Sequence, residues 1–100
     1  MEKQLLNELI KKNKMYLFGT EGGEKASFRN MDLSNIDMSK SNLRMIDMGG
    51  ADLVYANLSD CDLRKVNFTG ANMLHADLSG SDLRGAAFSS TDYVNFTGAN

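Results

Sequence analysis

Residues 51–85 read ADLVYANLSDCDLRKVNFTGANMLHADLSGSDLRG. In this stretch Leu53, Leu58, Leu63, Phe68, Met73, Leu78 and Leu83 recur at every fifth position. Two residues before each stands a mostly small one: Ala51, Ala56, Cys61, Val66, Ala71, Ala76 and Ser81. Asp or Asn fills the slot between them. The same step extends outward to Phe28, Leu33, Met38, Leu43 and Met48 on one side and to Phe88 and Tyr93 on the other, giving fourteen large apolar residues in register. The middle slot is Asp or Asn in twelve of those fourteen units, and Ser27 and Ala87 are the exceptions.

A period of five fits neither a helix, which repeats at 3.6, nor a strand, which repeats at 2. It fits one side of a square coil, with the large and the small residue of each unit inside and the other three outside. Four sides make a turn of 20 residues, stacked on the next at about the 4.8 Å strand spacing. The sequence supports that turn length independently. Ser41-Asn42-Leu43-Arg44, Cys61-Asp62-Leu63-Arg64 and Ser81-Asp82-Leu83-Arg84 recur at intervals of 20, as do Phe28, Met48, Phe68 and Phe88.

With Ala51-Asp52-Leu53, Ala56-Asn57-Leu58, Ala71-Asn72-Met73 and Ala76-Asp77-Leu78, the chain resembles the pentapeptide-repeat family, whose motif is approximately A-(D/N)-L-x-x. The resemblance covers residues 26 to about 93. It implies an all-β solenoid, a right-handed quadrilateral β-helix, and nothing in it implies catalysis. Among similar proteins, fluoroquinolone-resistance members act as duplex-DNA mimics that bind DNA gyrase, and members of known fold dimerise through their C-terminal turns.

The N-terminal residues differ from the rest. Leu5, Leu6, Leu9 and Ile10 recur at helical spacing up to Leu17, and Lys11, Lys12 and Lys14 suit the C-terminal end of a helix dipole. Gly19 and the Gly22-Gly23 pair then punctuate the chain. The expected organisation is a helical cap with a Gly-rich connector over residues 1–25, followed by the β-helix over 26–100. Leu5, Leu6, Leu9, Ile10 and Phe18 are expected to lie on the first turn, as the ends of a solenoid require.

The register fails near the end. Val66-Asn67-Phe68-Thr69-Gly70-Ala71-Asn72 recurs as Val94-Asn95-Phe96-Thr97-Gly98-Ala99-Asn100, offset by 28 rather than a multiple of five. Either two residues are missing after Tyr93, or the last side folds differently. The pattern calls for a large apolar residue after Asn100, so this end is expected to be covered by further chain or by a partner. Phe88, Tyr93 and Phe96 are the candidates for a homodimer edge, because open strand edges recruit another chain.

The 100-residue chain is 42% apolar and 24% charged, with a net charge of -2. That balance excludes a strongly basic nucleic-acid binder, and direct nucleic-acid binding is not expected. The N-terminal apolar run is too broken for a signal peptide or a membrane span. The single cysteine, Cys61, fits a reducing cytoplasm. It occupies a small inward slot and reads as a buried thiol, and His75 reads as a surface histidine. Asp32, Asp37, Asp47, Asp52, Asp62, Asp77, Asp82 and Asp92 form a ladder in the middle slot, where Asn42, Asn57, Asn67 and Asn72 substitute. Charge is therefore not the requirement there. A short side chain that accepts a hydrogen bond from a nearby backbone amide is. No catalytic, cofactor-binding or metal-binding set is expected.

The outward positions carry what remains. Arg44, Arg64 and Arg84 stack on one side with Lys65 adjacent, either as a ladder self-paired with Asp62 and Asp82 or as a recognition stripe for acidic groups. On another side, Val54, Tyr55, Leu74 and His75 form an apolar and aromatic patch of the kind that binds protein. The expected function is a non-enzymatic, cytoplasmic protein-binding module. An inhibitor of a nucleic-acid enzyme fits that class, whether as a DNA-mimic-like ligand of a topoisomerase or nuclease or as a phage-type inhibitor of host defence. The alternative is a structural scaffold or oligomerisation domain of a longer protein.

Overall fold

The computed structural model describes residues 2–91 and 93–100. Helix α1 spans Lys3–Leu17. A four-sided parallel coil follows, in which two short strands, β1 (Asn67–Phe68) and β2 (Ala87–Phe88), pair in parallel. Single parallel bridges continue the same ladder at offsets of 20, including Asp32↔Asp52, Asp37↔Asn57, Asn42↔Asp62 and Asp47↔Asn67.

The pentapeptide pattern sets this backbone through three bonds. The large residue donates its N–H to the middle-slot carbonyl of the next turn, as in Leu63 N to Asp82 O at 2.8 Å. The middle residue donates to the small residue of the previous turn, as in Asp82 N to Cys61 O at 3.0 Å. A turn then closes each corner, as in Ala76 N to Met73 O at 2.9 Å. The residue before each small one takes positive φ; Asn35, Lys40, Tyr55, Asp60, Lys65 and His75 lie between 55° and 60°. That is the left-handed conformation demanded at the third position of such a turn.

Inside, Phe28, Leu33, Leu43, Met48, Leu53, Leu58, Leu63 and Leu78 are fully buried, and the small slots hold Ala51, Ala56, Cys61 and Ala76. Like stacks on like: the rings of Phe68 and Phe88 lie 5.1 Å apart at 14°. The order weakens toward the C-terminus, where Leu83, Ala86, Phe88 and Phe96 are only half-buried.

Helix α1 covers the first turn through Leu6, which is fully buried, with Leu9 and Ile10 half-buried beside it. Leu5 and Phe18, expected on the same surface, are 51% and 69% exposed. Leu5 precedes Leu6 by about 100° around the helix axis, which turns it outward, and Phe18 falls at the C-cap beyond the packed face. The residue that docks the helix is polar. Asn13 is fully buried, donates from Nδ2 to the Arg44 carbonyl (3.2 Å) and accepts from the Ala26 N–H (2.9 Å). One turn lower, the Arg64 carbonyl is served by the Met45 N–H. Arg44 has no coil amide above it, and the Asn13 carboxamide takes that place. Gly23 lets the connector pass beneath the helix, because a Cβ there would run into the Met15 and Tyr16 backbone.

The last turn is shorter by two residues. Phe68 pairs with Phe88 at an offset of 20, whereas Asp77 pairs with Asn95 at 18. The loss falls between Phe88 and Tyr93, before Tyr93 rather than after it. Tyr93 is consequently not the fourteenth inward residue; it is 77% exposed at a positive-φ corner. Phe96 is half-buried on the next side, in register with Leu78 and edge-on to Phe88 at 5.8 Å. Asp92, the last rung of the expected acidic ladder, lies outside the described residues, as does Met1.

Candidate protein-binding faces

Each described middle-slot Asp or Asn side chain folds back onto the amide two residues on. Asp32 accepts from Ser34 N (3.0 Å), Asp37 from Ser39 N (2.9 Å), Asn57 from Ser59 N (3.0 Å) and Asp77 from Ser79 N (2.9 Å). Asp and Asn serve equally, so the ladder is corner chemistry. The serine side-chain and backbone donors hold the Asp32 carboxyl below its ordinary value, and the Ser39 amide does the same for Asp37. Among the described residues no group of three His, Cys, Asp or Glu side chains is arranged to hold a metal ion. Cys61 is buried, its Sγ 3.1 Å from the Met38 carbonyl, and burial pushes the thiol up to about 11. A thiol so placed is almost wholly protonated at neutral pH and is a poor nucleophile.

Two outward corners stand out, and they face opposite ways because their positions are ten residues apart in a 20-residue turn. The first carries three rings in a column. Tyr55 stacks on His75 with centroids 4.7 Å apart at 13°, and His75 stacks on Tyr93 at 5.6 Å and 29°. Tyr55 is 59% exposed and Leu74 beside it 38% exposed, while Val54 is half-buried rather than fully outward. All three ring-bearing residues have φ near +60°. A non-glycine residue there costs about 1–2 kcal/mol, against about 0.5–1.5 kcal/mol regained per aromatic pair. Next to the column is a surface cavity of about 310 Å³ lined by Gly70, Ala71, Asn72, Met73, Leu74 and Ser90.

Sequence reasoning brought Val54, Tyr55, Leu74 and His75 together but assigned Tyr93 to the core and the dimer edge. The repeated Val-Asn-Phe-Thr-Gly block was the available signal, since it fixes Asn95 as a middle-slot residue and so requires the step of five to fail before it.

The second corner carries the arginines. Arg64 forks onto Asp62 (Nε to Oδ1 2.9 Å, Nη2 to Oδ2 2.7 Å), and Arg84 forks onto Asp82 in the same way (2.9 and 2.6 Å). Hydrogen bonds from these guanidinium groups hold Asp62 below its ordinary value and Asp82 down to about 2. Arg44, Arg64, Lys65, Arg84 and Gly85 line one shallow cavity of about 290 Å³.

The chain matches the family model described as pentapeptide repeats, in eight copies, over residues 24–53 and 46–85. Solved structures with the same repeat are similar to it. One is a pentapeptide-repeat protein of the Arabidopsis thaliana thylakoid lumen, 30% identical, with 72% of this chain and 62% of that one covered and a TM-score of 0.45. Another is a pentapeptide-repeat protein of a Nostoc cyanobacterium, 30% identical, covering 89% and 71%, with a TM-score of 0.38. A third is a trypsin-treated plasmid-mediated fluoroquinolone resistance protein, 29% identical, covering 77% and 48%, with a TM-score of 0.40. The chain thus spans less than two-thirds of the Arabidopsis protein and about half of the resistance protein. No curated protein matches the sequence. Among the described residues no helix is long and apolar enough to cross a membrane.

Proposed function

The chain belongs to the pentapeptide-repeat family, and on that premise we propose that it is a non-enzymatic module that binds a protein through the Tyr55–His75–Tyr93 corner. The observation that carries this reading is the ring column itself. Three aromatic side chains occupy corners where glycine sits without strain, and Tyr55 and Tyr93 leave more than half of their surface to solvent. Exposed aromatics on a rigid support are the composition of binding hot spots. Leu74 and the adjoining cavity give a partner side chain a place to insert.

Inhibition of a topoisomerase or nuclease by DNA mimicry is a narrower form of the same function. It asks for a dense line of negative charge, and duplex DNA carries one charge per about 1.7 Å of axis. Here rungs lie about 4.8 Å apart, each ladder mixes Asp with uncharged Asn, Ser or Ala, and the carboxylates are folded onto their own corners. The acidic faces therefore favour a general protein contact over mimicry. The single buried thiol of Cys61 suits the reducing cytoplasm.

Capture of partners from a lysate, followed by mass spectrometry, tests the reading when run on two variant pairs. Tyr55→Ala with Leu74→Ser is expected to lose the partner, and Arg44→Ala with Arg64→Ala to retain it. The reverse pattern overturns the aromatic assignment. Recovery of a topoisomerase or nuclease selects the inhibitor form, and recovery of an assembly subunit selects the scaffold reading. Homodimerisation through the half-buried Phe88 and Phe96 is part of the proposal. Sedimentation giving a monomer at micromolar concentration removes it.

A further inference from the structure

The three arginine rungs are not equivalent. In two of them an Asp two residues earlier receives the guanidinium fork, Asp62 for Arg64 and Asp82 for Arg84. In the remaining rung that position is Asn42, whose Oδ1 accepts only the Arg44 backbone N–H at 3.2 Å. Among the described residues Arg44 and Lys65 enter no ion pair, while Arg64 also approaches Asp82 at 3.8 Å. Glu24, twenty residues before Arg44, is turned to Lys12 at 4.0 Å. The Arg44 Nε is buried without an acceptor, and a buried donor left unpaired is unfavourable. The shared cavity is thus lined by four cations, of which only Arg64 and Arg84 are paired, with Asp62 and Asp82, on a chain whose net charge is negative.

We propose that Arg44, with Lys65, is a docking point for a carboxylate from an acidic segment of a protein partner, which completes the third rung of the ladder in trans. Asp62 and Asp82 show which chemistry this corner accepts: a planar carboxylate taken by a fork, the geometry that suits Arg. An Arg44 fork that turns to a carboxylate gains the acceptor its Nε lacks. The proposal rests on the protein-binding reading but not on the aromatic column, which lies on the opposite corner.

The test is titration of the full chain with a short capped oligoglutamate peptide, followed through the arginine Nε–Hε cross-peaks. The Arg44 cross-peak is expected to move, with those of Arg64 and Arg84 nearly still. Asn42→Asp supplies the missing carboxylate in cis and copies a rung the fold already uses twice. It is expected to weaken the peptide by roughly tenfold, the loss of one charge-assisted bond. Asn35→Asp adds the same charge on the opposite side, at a corner conformation that Asp60 also takes, and is expected to leave binding within about twofold, the effect of one distant screened charge. Arg44→Lys keeps the charge, removes the fork and is expected to weaken binding severalfold. Equal movement of all three arginine cross-peaks, or Asn42→Asp binding as well as the parent, overturns the proposal. So does inorganic phosphate moving Arg44 where the peptide does not. Failure here with the Tyr55 and Leu74 variants still losing their partner leaves the aromatic reading standing.

Discussion

Asn13→Ala probes the buried polar contact that joins the helix to the coil. Asn13 is fully buried, and its carboxamide satisfies the Ala26 N–H and the Arg44 carbonyl together. Removing it leaves both groups without this partner. Each buried polar group left without a partner costs about 1–3 kcal/mol. Alanine returns about 0.5 kcal/mol of helix propensity. The expected net loss is about 1.5–5.5 kcal/mol out of a typical total of roughly 5–15 kcal/mol, and a drop in Tm of roughly 6–44 °C for a domain of this size. Asn7→Ala, the same change at an exposed position of the same helix, is expected to stay within about 0.5 kcal/mol. Asn13→Asp keeps the acceptor for Ala26 but turns an oxygen toward the Arg44 carbonyl. It is expected to be destabilised at neutral pH and to recover partly in acid, where a protonated carboxyl donates again. Urea titrations of the three variants supply the comparison. An Asn13→Ala midpoint indistinguishable from the parent would refute the docking role assigned to this residue.

Tyr55→Gly is expected to leave stability within about 1 kcal/mol, since relief at a positive-φ corner offsets the lost stack on His75 and the added freedom of the unfolded chain. Thermal melts that show a loss above about 3 kcal/mol mean that the column holds the coil together rather than serving recognition. Asp32, Asp37, Asp62 and Asp82 all sit below the ordinary carboxyl value of 3.8 in the folded chain. Their contribution is therefore present above that value and lost as pH falls through the folded values, about 2 in the case of Asp82. Circular-dichroism melts should give a flat Tm from neutral pH down to the ordinary value and a decline below it; a decline beginning near pH 6 contradicts the assignment. Cys61, buried and with its thiol pushed up to about 11, is expected to resist a thiol reagent at pH 8 in the native state and to react at once in urea. Rapid native labelling would show that the coil opens around it.

The repeat was legible because two kinds of position repeat for two independent reasons. The large and small residues must fill the interior, and the Asp or Asn must hold its corner amide. Each fixes the same five-residue step, so Ser27 or Ala87 can lapse without hiding the register. Asn13 was not legible. Nothing in a helix sequence marks an asparagine as a replacement for a missing coil amide, because the vacancy at Arg44 exists only once the first turn has formed. Tyr93 was misassigned for a different reason: counting by fives carries an aromatic residue into the core as readily as onto a corner. The repeated Val-Asn-Phe-Thr-Gly block signals a break in the step, and the pairing of Asp77 with Asn95 shows that the two residues drop out before Tyr93.

The backbone bonds and the inward residues hold this fold without help from the two outward positions that follow each large residue. Those positions are therefore where chemistry can vary at little structural cost, and departures from small or polar residues there carry the most information. Serine, glycine or threonine fill many of them. The corner with Tyr55, His75 and Tyr93 departs in one way, exposing a column of stacked rings. The corner with Arg44 departs in another, repeating an ion-paired rung and then leaving out its acid at Asn42. A mutation confined to the corners should thus alter what the chain binds before it alters whether the chain folds. The inward leucines should show the opposite order.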